Sequence, residues 1–310
     1  MVTASDRARV VVAICTYRRN ADLEVLLRAL GDCAARVRDH AAVGVAIVDD
    51  TASGDARPVA DAFADSFELG LRYGISGRQN ISLARNMVIE TALGFGDWIA
   101  MTDDDCEPPA EWLEELLRVQ AMTGADAVTG RMVRRAPPGS PQWLTDEPFF
   151  DLGVEVAQDG AEVPAGATFN SLISADWLRL HPDIRFDPEF GVIGGEDMMF
   201  YRAARAAGLD IRFAARAFVY ENESPARATL GYQLYVHYWH GNSACHSSVG
   251  SGMPRWRMAV HGGASLARAV AYPIKRIASG KTPQFRYGMA LMLHAAGKLV
   301  GVAGVRVDHR

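Results

Sequence analysis

Cysteine is scarce: Cys15, Cys33, Cys106 and Cys245 are the only four in 310 residues, with no Cys-x-x-Cys pair and no Cys/His cluster. That argues against a structural zinc site and against a disulfide scaffold, and it fits a reducing compartment. A long uninterrupted hydrophobic run is also lacking. The nearest, 285–304, carries Arg286, His294 and Lys298, whereas a spanning helix needs about 20 apolar residues with few charges. An amphipathic surface helix fits that stretch better. The N-terminus is polar early and its apolar run is too short for a signal peptide. No G-x-G-x-x-G follows the first strand pattern and no G-x-x-x-x-G-K-[ST] occurs, so a dinucleotide fold and a P-loop have little support. Positive charge is not in excess: the net charge of −5 argues against a nucleic-acid partner.

What is present is an ordinary globular composition, 49% hydrophobic and 22% charged. Its length allows one large domain, or a domain with a tail. Charge is unevenly spread. Residues 251–310 hold ten Lys/Arg against Asp308 alone, leaving 22 basic against 36 acidic residues before them. An acidic body and a basic tail result.

The first 130 residues alternate between strand and helix patterns. Val10–Thr16, Val43–Val48, Leu71–Ile75, Trp98–Thr102 and Ala127–Thr129 read as buried strands. Leu23, Leu26, Leu27, Leu30 and Ala34 recur at helical spacing, 82–93 reads as a helix, and Pro108–Pro109 opens another. Repeated strand–helix–strand units predict a mostly parallel sheet with helices on both faces. Ligands on such sheets bind beyond the carboxyl ends of the strands. Residues 134–166, rich in Pro and Gly, read as a loop or lid.

The polar clusters fall at those strand ends. Asp103, Asp104 and Asp105 close the fourth strand. Three adjacent like charges are costly without a compensating cation or basic group, and Mg2+ or Mn2+ takes carboxylate oxygens and bridges them to phosphates. A solvated turn is the plainer alternative. Asp49–Asp50 ends the second strand, where an acid commonly bonds a nucleoside; turn chemistry with Thr51 and Ser53 is the alternative. Gly194-Gly195-Glu196-Asp197 puts two carboxylates at a helix start, which suits either capping or a general base. Asn80 precedes a helix holding Arg85, which could pair with phosphate, with the acidic cluster, or in a surface ion pair. His237, His240 and His246 sit in an aromatic stretch where packing is the commoner role and metal ligation the alternative.

Five segments, VVVAICTYRR, AIVDDTASGD, NISLARN, DWIAMTDDDCEPPAEWLEELL and GGEDMMFYRAARAAG, resemble family 2 glycosyltransferases of the GT-A fold, in the family's order across residues 8–220. The region from Asn222 onward resembles bacterial exopolysaccharide glycosyltransferases more loosely. The resemblance implies an α/β Rossmann-like mixed sheet with helices on both faces and a C-terminal helical tail. Domain bounds follow: a catalytic domain at 1–225, with its nucleotide-sugar half at about 1–130 and acceptor half at about 131–225, then a basic helical region at 226–310.

It also implies roles. Thr16 and Asp49 would contact base and ribose, with Tyr17, Arg18, Asp50 and Asn80 completing the nucleotide-sugar site. Asp103 and Asp105 match the outer residues of the DXD motif, Asp105 ahead of Asp103 as the direct ligand of Mn2+ or Mg2+, while Asp104 would face the donor sugar or ribose. Arg85 would help hold this region. Asp197 matches the catalytic base, with Glu196 beside it at the acceptor.

The implied reaction is an inverting transfer from a nucleoside-diphosphate sugar, UDP-sugar by default, to a glycan or lipid-linked hydroxyl. Q-x-x-R-W is absent, since Gln233 is followed by Leu-Tyr-Val-His, so single-sugar transfer is expected. Thr51–Ala52 replaces the commoner Gly-Ser. Two other readings compete: a nucleotidyltransferase, which would want a Gly-rich phosphate loop, and a non-catalytic glycan-binding module. A cytoplasmic location is expected, with 251–310 either touching an anionic inner-membrane face or packing on the protein.

Overall fold

The computed structural model describes residues 7–150 and 157–308. Among them is an eight-stranded sheet in the order β3-β2-β1-β4-β7-β6-β8-β5. β1 (Ala8–Thr16), β2 (Ala41–Asp49), β3 (Leu71–Ile75) and β4 (Trp98–Met101) are parallel. They are joined through α1 (Asn20–Val37), α2 (Arg57–Ala62) and α3 (Ile81–Leu93).

The mostly parallel pattern predicted from the strand–helix units holds only for these four. β7 (Ser171–Ser174) runs antiparallel to β4, β6 (Ala127–Arg135) antiparallel to β7, and β5 (Cys106–Glu107) antiparallel to β8 (Ile211–Asn222). A parallel pair needs a crossover, usually helical. The chain instead enters β7 from a long segment whose helical structure, among the described residues, is the four-residue α5 (Trp143–Asp146). Part of the predicted lid, 151–156, lies outside the described residues. Elsewhere in it β6 extends to Arg135, and Glu162 bridges to Arg212.

β1 is central and buried on both sides, with period-2 alternation sorting its side chains. Val10, Val12 and Ile14 face α1, α2 and α4 (Trp112–Thr123), while Val11 and Ala13 face α3, α6 (Ala175–Leu180) and α8 (Glu196–Ala206). In α1, Leu23, Leu26, Leu27 and Leu30 are fully buried, each contributing about 1.5–3 kcal/mol relative to exposure. Buried Asn170 ties the antiparallel half together. Its amide donates to Arg131 O (2.9 Å) and Ala217 O (3.0 Å), and its Oδ1 accepts from Trp112 Nε1 (2.9 Å). This fixes the strands beside the one that delivers the acidic cluster.

The chain forms two compact units: 1–134 with 155–191 and 197–222, and 135–154 with 192–196 and 223–310. The second contains α7 (Phe190–Ile193) in part, α9 (Leu230–Gly250), α10 (Arg255–Ala278) and α11 (Phe285–Val302). α11 packs on both α9 and α10, burying Gly288, Ala290, Ala295, Gly297 and Gly301. The 285–304 stretch is thus a helix packed on its neighbours, the alternative weighed against a surface helix.

Candidate active site

Parallel pairing brings three strand ends to one edge. Thr16 pairs with Asp49, and Ala13 with Met101, the last residue of β4. Three residues beyond Met101, Asp104 reaches the level of Thr16, whose hydroxyl donates to Asp104 Oδ2 (2.8 Å). Asp50 N donates to Thr16 O at 2.8 Å, locking the ends of β1 and β2 together.

The acidic cluster is held by two arginines. Arg19 Nη1 donates to Asp104 Oδ1 (2.9 Å) and also to Asp105 Oδ2. Arg85 Nη2 donates to Asp103 Oδ1 (3.2 Å), while its guanidinium stands 5.6 Å from the Phe186 ring centroid. Three adjacent carboxylates thus face two guanidinium groups. Burial, followed by the charge of Asp105, pushes Asp104 up to about 7 against the pull of Arg19 and the Thr16 hydrogen bond. Burial also raises Asp103, opposed by Arg85.

The other donor-side residues have distinct local roles. Buried Asp49 accepts from Thr51 N (2.7 Å) on Oδ1, and from Ala56 N (2.9 Å) and Tyr73 Oη (2.8 Å) on Oδ2. Its carboxylate thus folds the loop after β2, which is the turn chemistry weighed above. Asp50 Oδ1 accepts from Arg78 N and Gln79 N, both 3.0 Å. Asn80 caps α3, accepting from Leu83 N (3.2 Å), and donates to Pro188 O (3.0 Å). A side chain at Gly191 would put its Cβ 1.9 Å from Asn80 Oδ1, so only glycine fits there. Arg18 has φ of +57°, unusual outside glycine, and lies over the Tyr17 ring at 5.1 Å.

Glu196 and Asp197 begin α8, with Asp197 Oδ1 accepting from Met198 N at 2.7 Å. One helical turn on, buried Tyr201 donates to Ser171 Oγ (2.7 Å). Burial raises the Tyr201 hydroxyl; the charge of Asp197 adds to this, while Arg85 and the Ser171 bond oppose it. Gly194 and Gly195 have φ of +80° and +91°. A Cβ on either would strike α9, at Trp239 (2.3 Å) or Ser247 Oγ (2.1 Å). Close backbone packing accounts for these glycines.

The histidines pack in the C-terminal helices. His237 Nδ1 bonds Gln233 O (2.8 Å), His246 Nε2 bonds Val305 O (2.9 Å), and His240 lies against Trp239. Sequence reasoning left Arg19, Tyr73 and Tyr201 out of the site. Arg19 was signalled by the basic run after β1; nothing in the spacing singled out the two tyrosines.

The oxygen-only donor set of Asp103 and Asp105 fits a hard divalent cation. Mg2+ is usually held by one or two carboxylates plus substrate phosphates. Among the described residues no group of three His, Cys, Asp or Glu could by itself cage a metal.

A family model described as Glycosyl transferase family 2 matches residues 11–180, more than half of the chain. The chain belongs to glycosyl transferase family 2. It is 29% identical over 299 residues to succinoglycan biosynthesis protein ExoM of Rhizobium meliloti (strain 1021), covering 95% of this chain and 93% of that protein. Mannosyltransferase PcManGT of Pyrobaculum calidifontis, solved with GDP-Man and Mn2+, matches with a TM-score of 0.62 at 17% identity, over 95% of this chain and 87% of that one. S. aureus TarS 1–349 with UDP-GlcNAc matches at 0.53 and 12%, over 96% and 92%. Against a longer TarS chain the match covers 76% of this chain and 40% of that one. These structural likenesses establish the GT-A fold, and family membership makes the protein a glycosyltransferase.

Proposed function

We infer that this family 2 enzyme moves one sugar from a nucleoside-diphosphate donor to a hydroxyl of a glycan or lipid-linked acceptor, with inversion. The observation that carries this reading is the strand-end constellation of Thr16, Asp50 and Asp103–Asp105, held by Arg19 and Arg85. Asp197 is the general base. It removes the acceptor proton as the hydroxyl attacks the anomeric carbon from the face opposite the leaving diphosphate. Glu196 stands beside it at the acceptor.

Thr16, Tyr17, Arg18, Asp49, Asp50, Asn80 and Arg85 form the donor site within the catalytic domain 1–225, Asp49 by shaping the loop after β2. Asp104 faces the donor sugar or the ribose. Asp105 and Asp103 would hold Mn2+ or Mg2+, which when bound supplies positive charge to the departing diphosphate. A UDP-sugar is the first candidate donor, in keeping with the TarS complex; the GDP-Man complex of PcManGT keeps GDP in the panel. The basic residues of 251–310 support contact with an anionic membrane, and a cytoplasmic enzyme working at its inner face.

Calorimetry with UDP, GDP, dTDP and CMP, with and without Mn2+, tests the donor site. Metal-dependent binding of one nucleoside diphosphate is expected; folded protein that binds none overturns the assignment. Asp197→Asn is expected to lower kcat by about 10²–10⁴-fold while nucleotide binding is retained. Full turnover in that variant removes Asp197 as the base.

A further inference from the structure

α10 has two unlike sides. One carries the buried Met258, Gly262 and Ala269, with Gly262 against Leu299 of α11, where a Cβ would come within 2.7 Å of that side chain. The other side has no partner among the described residues. Trp256, Val260 and Ile274 are 64%, 60% and 63% exposed, and Val270 and Ile277 are also exposed. At about 100° per residue these five fall within an arc of about 100°, filled between by Gly263 and Ala267. The stripe runs from Trp256 to Ile277, nearly the whole of the 24-residue helix, about 33 Å at 1.5 Å per residue.

One border of the stripe is cationic. Arg257, Arg268 and Lys275 fall on a single line along it and are exposed. From Ser251 through Val307 there is no Asp or Glu. Trp256 opens the stripe with the Arg257 guanidinium 5.3 Å from its ring centroid, an amphipathic pairing suited to the boundary between headgroups and acyl chains.

We propose that this face of α10 docks the protein flat on an anionic lipid surface, its apolar stripe in the acyl boundary and Arg257, Arg268 and Lys275 among the headgroups. This narrows the membrane contact proposed for 251–310 to one helix, and replaces the 285–304 stretch with α10 as the lipid-facing element. A second copy of the chain is the poorer occupant. Two such faces laid antiparallel bring cationic borders side by side, and in either direction there is no carboxylate on α10 to pair them. No described helix is long and apolar enough to cross a membrane, so the contact lies in the interface plane.

The test is flotation of the full-length protein with phosphatidylcholine vesicles, with and without phosphatidylglycerol. Binding is expected only with the anionic lipid, and is expected to weaken as salt is raised. Arg257→Gln/Arg268→Gln/Lys275→Gln should lower partitioning on the order of a hundredfold, and Trp256→Ser/Ile274→Ser about tenfold or more.

Unchanged far-UV circular dichroism and unchanged nucleotide affinity identify variants that still fold. Wild-type protein that stays unbound overturns the proposal. So does lipid binding that both folded variants retain, or a lipid-free wild-type dimer that Trp256→Ser/Ile274→Ser converts to monomer. Vesicle binding needs no donor, so the docking and the transferase reading fail independently.

Discussion

Arg19 is the residue on which the acidic cluster leans most. It bridges Asp104 and Asp105, whose side chains are only 6% and 10% exposed. Removing one partner of a largely buried ion pair leaves the other charge uncompensated, at about 3–5 kcal/mol. Arg19→Gln is therefore expected to lower the Tm of the metal-free protein, and Mn2+ is expected to restore part of the loss in that variant more than it shifts wild type. Thermal melts with and without Mn2+ check this; a variant that melts as wild type does would remove Arg19 as the internal counter-ion.

Much of this site was legible from chemistry alone. Three adjacent aspartates ending an apolar strand demand a counter-charge wherever they sit. Which arginine supplies it was not legible. Arg18 turns its backbone through the left-handed region, and that turn hands the inward position to Arg19. Tyr201 was hidden for another reason: a buried aromatic in an amphipathic helix has the same sequence signature whether or not its hydroxyl bonds a neighbouring strand, as it does here at Ser171.

At the scale of elements, the helices and the parallel strands followed their periodicity, and the misses lie where the periodic signal was cut short. β6 was read only as Ala127–Thr129 because Arg131, Arg134 and Arg135 resemble loop residues; Arg134 in fact pairs with Glu221 of β8 at 2.7 Å. β8 itself went unread, although Ile211, Phe213, Ala217 and Val219 keep a period of two and are buried. The helix pair α9 and α11 depends on a feature no periodicity reveals. A Cβ at Gly241 would stand 1.9 Å from His294 O, and one at Gly297 would stand 2.0 Å from Tyr238 O. Backbone faces backbone in both directions, so neither clash can be relieved by a rotamer change. Gly297→Ala is expected to destabilise the protein by about 1–3 kcal/mol, read as a lower urea midpoint. Gly263→Ala, in α10 with nothing near its Cβ position, is expected to be neutral or slightly stabilising through helix propensity. Equal effects from the two would mean that helix propensity, and not the close crossing, sets their cost.

For the whole molecule, charge and burial set how stability responds to pH. The acidic body and basic tail were plain in the composition, but the group that ties the C-terminal helices to pH was not, because His294 looked like one polar interruption in an apolar run. In the fold its ring is partly buried, with Nδ1 3.2 Å from His237 O. Burial, with the charges of Lys298 and His237 adding to it, lowers its pKa from 6.5 to about 4, against the bond to the His237 carbonyl. The folded state thus keeps His294 neutral where the unfolded chain would protonate it. Its contribution to stability is complete above pH 6.5 and is lost as pH falls from there toward about 4. A tenfold change in proton affinity corresponds to about 1.4 kcal/mol. Discounted for the ring's partial exposure, the loss across that window is on the order of 2 kcal/mol. Carboxylates change protonation over part of the same range, so the informative quantity is the difference between wild type and His294→Gln. Urea midpoints at pH 7 and pH 5 are expected to lie closer together in the variant. Equal separations would mean that His294 is as readily protonated in the fold as in the open chain, and that the acid sensitivity of the molecule arises among its carboxylates.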